Sequence, residues 1–180
     1  APGRDNPRFP PGMAEAAKQA IRQAVASEQE KAGGIAYGIA GCASGGDILF
    51  HQVCEEMSIP TRIYLAVPRD QYIKSSVAPA GLYWVEEFNR LHGSRPVRVI
   101  GGMKELPRWL QDKSDYNVWQ RSNLWMLFNA LAAGSENVTL IALWNQQAGD
   151  GPGGTGDMVA KAEERGAKII VLDTKEVFGL

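Results

Sequence analysis

The chain has 180 residues, which fits one domain of ordinary size, and 44% of them are hydrophobic against 22% charged, enough for a packed core. The formal net charge of −1 gives no support for a nucleic-acid or membrane surface governed by bulk charge. No apolar run approaches the ~20 residues that span a bilayer, and the polar, proline-rich opening "APGRDNPRFPPG" carries no signal-peptide pattern. Cys42 and Cys54 have neither metal-ligand company nor a disulfide-framework spacing, which fits free thiols in a reducing cytoplasm.

In chain order, residues 12–31 place Met13, Ala17, Ala20, Ile21, Ala24 and Val25 on one stripe at helical spacing. "GIAYGIAGC" (34–42) reads as a short strand. "GDILFHQVCEEM" (46–57) reads as a helix with Ile48, Leu49, Val53, Cys54 and Met57 inside. "TRIYLAVP" (61–68) is a strand stopped by proline, residues 82–92 a helix, and "RPVRVIGG" (95–102) a strand. Residues 117–134 form a long helix closed by Gly134, followed by the apolar strand "NVTLIALW" (137–144). A helix over 155–165 and the strand "AKIIVLDT" (167–174) end the pattern. Helices alternating with near-continuous apolar strands predict an α/β fold. The expectation is a Rossmann-like three-layer sandwich around one mainly parallel sheet of about five strands, spanning 1–180 as a single domain. The chain opens on a loop and a helix, and "APGRDNPRFP" looks like the loop that follows a first strand. That strand either lies upstream of Ala1 or the sheet is a variant.

Open parallel sheets bind ligands beyond the C-terminal ends of their strands, so the segments after each strand matter most. After the first strand, "GCASGGDILF" opens a helix with Gly45 and Gly46 and places Asp47 in its first turn. Small residues let a ligand approach, and free N–H groups at a helix start suit phosphate. Asp47 reads as a helix cap or as an acceptor for a ribose hydroxyl. After the strand at 137–144 comes "NQQAGDGPGGTGDM", in which Pro152 stiffens the entry and Gly153, Gly154 and Gly156 permit close approach. Thr155 adds a hydroxyl, and Asp150 and Asp157 flank the turn. No lysine follows as in a triphosphate-binding P-loop, and the first turn lacks the G-x-G-x-x-G of a dinucleotide fold. Between the two turns, Asn117, Gln120, Arg121 and Asn123 occupy the start of an otherwise apolar helix. Asn117 and Arg121 share a face four apart, and an arginine there suits a phosphate or carboxylate. An arginine beside an aromatic core would read the same way. His51 and His92 join no nucleophile and read as structural or surface residues, and no acidic or His/Cys grouping suggests a metal site.

"GCASGGD", "QRSN" and "PGGTG" together, in this order along most of the chain, resemble the SLOG superfamily of Rossmann-like nucleotide-binding domains. That superfamily includes the LOG phosphoribohydrolases, related to lysine-decarboxylase-like proteins, and the DNA-processing Smf-type domains. The sequence is most similar to a bacterial branch found beside tetratricopeptide repeats. The resemblance implies nucleotide binding by Gly45, Gly46, Asp47, Arg121, Asn123, Gly153, Gly154, Thr155 and Gly156. In LOG enzymes the signature is P-G-G-x-G-T-x-x-E. Here its threonine is replaced by Asp157 and its catalytic glutamate falls on Ala160, which can neither stabilise an oxocarbenium-like sugar nor move a proton. The resemblance therefore implies a cytoplasmic nucleotide sensor attached to effector or repeat domains, with a homodimer left open. No cofactor, nucleic acid or membrane is expected. The alternatives are an N-glycosidase on nucleoside monophosphates or an NAD-like substrate, using Arg121 with Asp157 or Asp47, and a non-catalytic scaffold for protein contact.

Overall fold

The computed structural model describes residues 12–102, 105–113, 116–147, 151 and 153–179. Its elements are α1 (Ala14–Ala32), β1 (Gly38–Ala40), α2 (Gly46–Glu56), β2 (Thr61–Leu65), α3 (Arg69–Tyr72), α4 (Leu82–Ser94), β3 (Val97–Val99), α5 (Val118–Leu131), β4 (Thr139–Trp144), α6 (Thr155–Glu164), β5 (Lys168–Asp173) and α7 (Thr174–Phe178). A π turn over Ile73–Val77 and a 3-10 turn over Ala78–Ala80 join α3 to α4.

The fold is mixed α/β and every strand pair is parallel, as the apolar strands require. The expectation of one sheet of five strands needs correction. The strands form a three-stranded sheet ordered β1-β2-β3 and a two-stranded sheet β4-β5, and β1 and β4 do not pair. β1 is also shorter than expected, and glycine is the local reason. The strand expected over 34–42 is reduced to Gly38–Ala40, because Gly38 is pressed against the Phe50 ring and Gly41 turns away beneath Asp47 and Tyr72. The long helix also ends at Leu131, before Gly134, which instead starts a 3-10 turn at φ 95°.

Side chains alternate to two faces along each strand. Ile63 and Leu65 of β2 pack with Ile48 of α2, Tyr72, and Phe88 and Leu91 of α4. Tyr64, between them, meets Trp125 of α5 with ring centroids 4.4 Å apart. In the second sheet Ile141, Leu143 and Leu172 pack on α1 and α2 through Ile21, Val25, Leu49 and Val53. Leu140 and Ile169 face α5 and α6 through Leu127, Met158 and Ala162. The same two groups of helices thus cover both sheets. Among the described residues no helix is long and apolar enough to cross a membrane.

Candidate functional site

The two glycine turns meet at the end of β4. Leu143 and Trp144 are consecutive strand residues and so point to opposite faces. Gly46, the first residue of α2, lies against Leu143, and a Cβ on it would be 3.8 Å from the Leu143 side chain. Gly156, in the first turn of α6, lies against Trp144, where a Cβ would come within 2.9 Å of the indole. One strand end therefore carries a helix start on each face.

In the first turn Gly45 holds φ 98°, ψ −128°, a backbone region that favours glycine. Asp47 bonds the loop below it: its Oδ2 accepts the Ala43 N–H at 3.1 Å. The Tyr72 hydroxyl accepts the adjacent Cys42 N–H at 3.0 Å. A Cβ on Gly41 would lie 2.5 Å from Asp47 Oδ2 and 2.7 Å from Tyr72 Oη, so glycine lets both reach the backbone. Burial pushes the Asp47 carboxyl above its usual range, against the smaller opposing effect of the Ala43 bond. Burial, with the Asp47 charge added, raises the Tyr72 hydroxyl well above its ordinary value. Sequence alone gave no signal for Tyr72, which reaches the turn from another element.

His51 supports this turn. It is fully buried, with Nε2 2.8 Å from the Gly41 carbonyl oxygen and Nδ1 2.9 Å from Thr61 Oγ1. A carbonyl only accepts, so Nε2 carries the proton and Nδ1 accepts from the threonine hydroxyl. Arg95 donates to the same hydroxyl oxygen at 2.9 Å. Burial lowers the His51 pKa to about 4, so the ring is neutral. His92 packs on Phe88 near the end of α4.

The second turn is pressed against the start of α5. Gly153 has φ +87°, and a Cβ there would fall 2.6 Å from the Gln120 backbone nitrogen and 3.0 Å from Asn117 Oδ1. Asn117 caps α5, accepting the N–H groups of Trp119 and Gln120 at 2.9 Å each. Asn123 Nδ2 donates to the Gly153 carbonyl at 2.9 Å. Asp157 accepts the Gly153 N–H at 3.1 Å and pairs with Lys161 one turn on. Burial works to raise the Asp157 carboxyl, but the Lys161 ammonium and the Gly153 N–H outweigh it and hold it low. Lys161 was missed in the sequence, where its i,i+4 spacing from Asp157 was the signal that could have found it. Gly154 supplies no side-chain cap to α6, so the N–H groups of Thr155, Gly156 and Asp157 begin the helix without intrahelical acceptors. Asp150 and Pro152 lie outside the described residues, and Ala160 is exposed on α6.

Arg121 faces another strand end. Its Nη2 donates to the Ile100 carbonyl at 3.4 Å, and it lines a cavity of about 100 Å³ with Gly101, Gly102, Glu105 and Pro107. That volume is below the several hundred Å³ of typical ligand sites. The helix start thus divides: Gln120 and Asn123 turn to Gly153, while Arg121 turns to the residues after β3. A larger groove of about 460 Å³ runs along β5 between α1 and α7, past Ala24, Glu28, Lys168, Ile170 and Val177, and includes no residue of either glycine turn. Among the described residues no group of three or more His, Cys, Asp or Glu side chains could hold a metal ion. No known family model matches the sequence, and no curated protein matches it.

Proposed function

We propose that the chain is a Rossmann-like, SLOG-type domain that binds a nucleotide or nucleotide-derived ligand at the C-terminal ends of its strands and acts as a sensor for an attached domain. The observation that carries this reading is the convergence of two glycine turns on β4, with Gly46 on one face and Gly156 on the other. N–H groups without intrahelical acceptors and the positive end of α6 favour an anionic group there, and the Thr155 hydroxyl adds a donor. Arg121 supplies a cation beside the β3 end.

Binding is favoured over cleavage by the carboxylates. Lys161 keeps Asp157 ionised, so it is a poor proton donor. Asp47, whose raised pKa would suit an acid, is bonded to the Ala43 N–H. Calorimetry against AMP, cyclic nucleotides, ADP-ribose and NAD tests the reading. Micromolar binding of one of these, weakened about tenfold by Thr155→Val, which removes the hydroxyl donor at the start of α6, is the expected result. A folded protein that binds none of them overturns it. Release of free base from AMP or NAD, lost in Asp47→Asn, returns the N-glycosidase reading instead.

A further inference from the structure

We infer that the free edge of β5 is a self-recognition surface: β5 pairs antiparallel with β5 of a second copy of this chain, about a two-fold axis through Val171. The inference stands on the geometry of the strand and does not rest on the ligand reading. Among the described residues β5 pairs only with β4, so its other edge carries no strand. An unpaired edge offers a row of N–H and C=O groups to another chain, and proteins blunt such edges with short strands, charges, proline or bulges. The free edge of β3 follows that rule, with three residues and Arg98 in the middle. β5 does not. Its six residues keep their charges at the two ends, Lys168 and Asp173, and between them run Ile169, Ile170, Val171 and Leu172. Val171, near the middle of this run, is 36% exposed.

The ladder fixes the register. The Lys168 N–H donates to the Val138 carbonyl, so by alternation Lys168, Ile170 and Leu172 turn their backbone groups to β4. Ile169, Val171 and Asp173 turn theirs to the free edge. A two-fold axis normal to the sheet keeps each face of one copy beside the same face of the other, so facing residues are both odd or both even in number. Centred on Val171, the pairing sets Val171 against Val171 of the second copy and Ile169 against its Asp173, and every outward residue of the strand meets another. Centring on Ile170 or Leu172 would set Asp173 or Ile169 against a residue outside β5. On the α1 face, Ile170 then comes opposite Leu172 of the second copy as a non-hydrogen-bonded pair, the closer kind. Both residues line the groove of about 460 Å³ between α1 and α7, so the two grooves meet across the axis. Charge favours the same arrangement. Where β5 begins, the groove is lined by Lys31 and Lys168 around the single carboxylate of Glu28. Where β5 ends, it is lined by Glu176 of α7. Antiparallel pairing brings the cationic end of each groove to Glu176 of the other copy.

Sedimentation equilibrium from about 1 to about 200 µM tests the surface. The expected result is a mass that rises to that of two chains, and a Val171→Lys variant, with a charge at the centre of the edge, that stays a folded monomer over the same range. Residue-resolved hydrogen exchange on the unsubstituted chain reads the register. The amides of Ile169, Val171 and Asp173 should exchange roughly tenfold or more slowly at the high concentration than at the low one, with those of Ile170 and Leu172 little changed. Glu176→Lys and Lys31→Glu should each weaken the dimer about threefold and together restore it. A monomer throughout the range overturns the inference. So does a dimer that survives Val171→Lys, one that protects none of the three outward amides, or a double charge variant that associates more weakly than either single one. Should Val171→Lys fail to fold, the exchange measurement decides alone.

Discussion

His51 and Asp47 stand one helical turn apart on α2, and burial shifts the titration of both away from the charged form. The His51 ring is neutral in the folded chain, with its pKa lowered to about 4, while in the unfolded chain it takes a proton near 6.5. The unfolded state therefore binds more protons between these values. The contribution of His51 is full above pH 6.5 and is lost as the pH falls toward 4. At about 1.4 kcal/mol per pH unit this is roughly 3 kcal/mol. Glu28, Glu55 and Glu87 have lowered pKa values and matter only at lower pH, whereas His92, also lowered by burial, acts in the same direction as His51. Melting temperature measured from pH 7 to pH 5 should fall in the wild type and fall much less in His51→Gln. An unchanged slope in the variant would refute the assignment. Asp47 has the opposite sign. Its folded pKa is raised, so the ionised form is disfavoured at neutral pH and stability is gained as the pH falls through the folded value. Asp47→Asn keeps an acceptor for the Ala43 N–H and should raise the melting temperature at pH 7, with a smaller gain at pH 4. A drop at pH 7 would show that the charge is compensated by a partner.

The two helix starts differ in how closely the protein itself packs on their glycines, and alanine separates them. At Gly153, φ +87° and a backbone nitrogen 2.6 Å from any Cβ act together, so Gly153→Ala should cost more than about 2 kcal/mol in urea denaturation. At Gly46 a Cβ would meet only the Leu143 side chain at 3.8 Å, an ordinary contact. Gly46→Ala should keep wild-type stability within about 0.5 kcal/mol. If the ligand approaches the backbone at Gly46, that same folded variant loses binding. A Gly46→Ala protein that binds as well as wild type would remove this turn from the site. The elements were legible because their periodicities are strong: the stripe Ala17, Ile21, Ala24, Val25 is buried as α1 requires. The short helix Thr174–Phe178 was hidden because five residues show no period, and the glycines of 34–42 reduced an expected strand to three residues. The glycine turns themselves were readable. The direction of Arg121 was not, because spacing places it with Asn117, while the Asn117 side chain is taken up by the cap and the Trp125–Tyr64 contact sets how α5 lies on β2.

For the whole molecule, the split into two sheets raises the question of whether they are separate cooperative units. Their cores argue that they are not. Leu49 and Val53, on the helix that leaves β1, share one cluster with Ile141, Leu143 and Leu172 of the second sheet. α5 ties both sheets from the other side, with Trp125 on Tyr64 of β2 and Leu127 beside Leu140 and Ile169. The carboxylate of Glu28 on α1 adds a polar tie, accepting from Thr139 of β4 at 2.8 Å and from Lys168 of β5 at 2.5 Å. Removing either sheet would strip apolar surface from helices that the other also needs, so local unfolding of one is disfavoured. Two tryptophans report the sheets independently: Trp125 sits on β2, and Trp144 ends β4 beneath Gly156. With 5-fluorotryptophan incorporated, the 19F resonances of Trp125 and Trp144 should lose native intensity at the same urea concentration, in one transition that far-UV circular dichroism also follows. Loss of the Trp144 signal at clearly lower urea, with Trp125 still native, would show that β4 and β5 open on their own and that the shared helices do not couple the sheets.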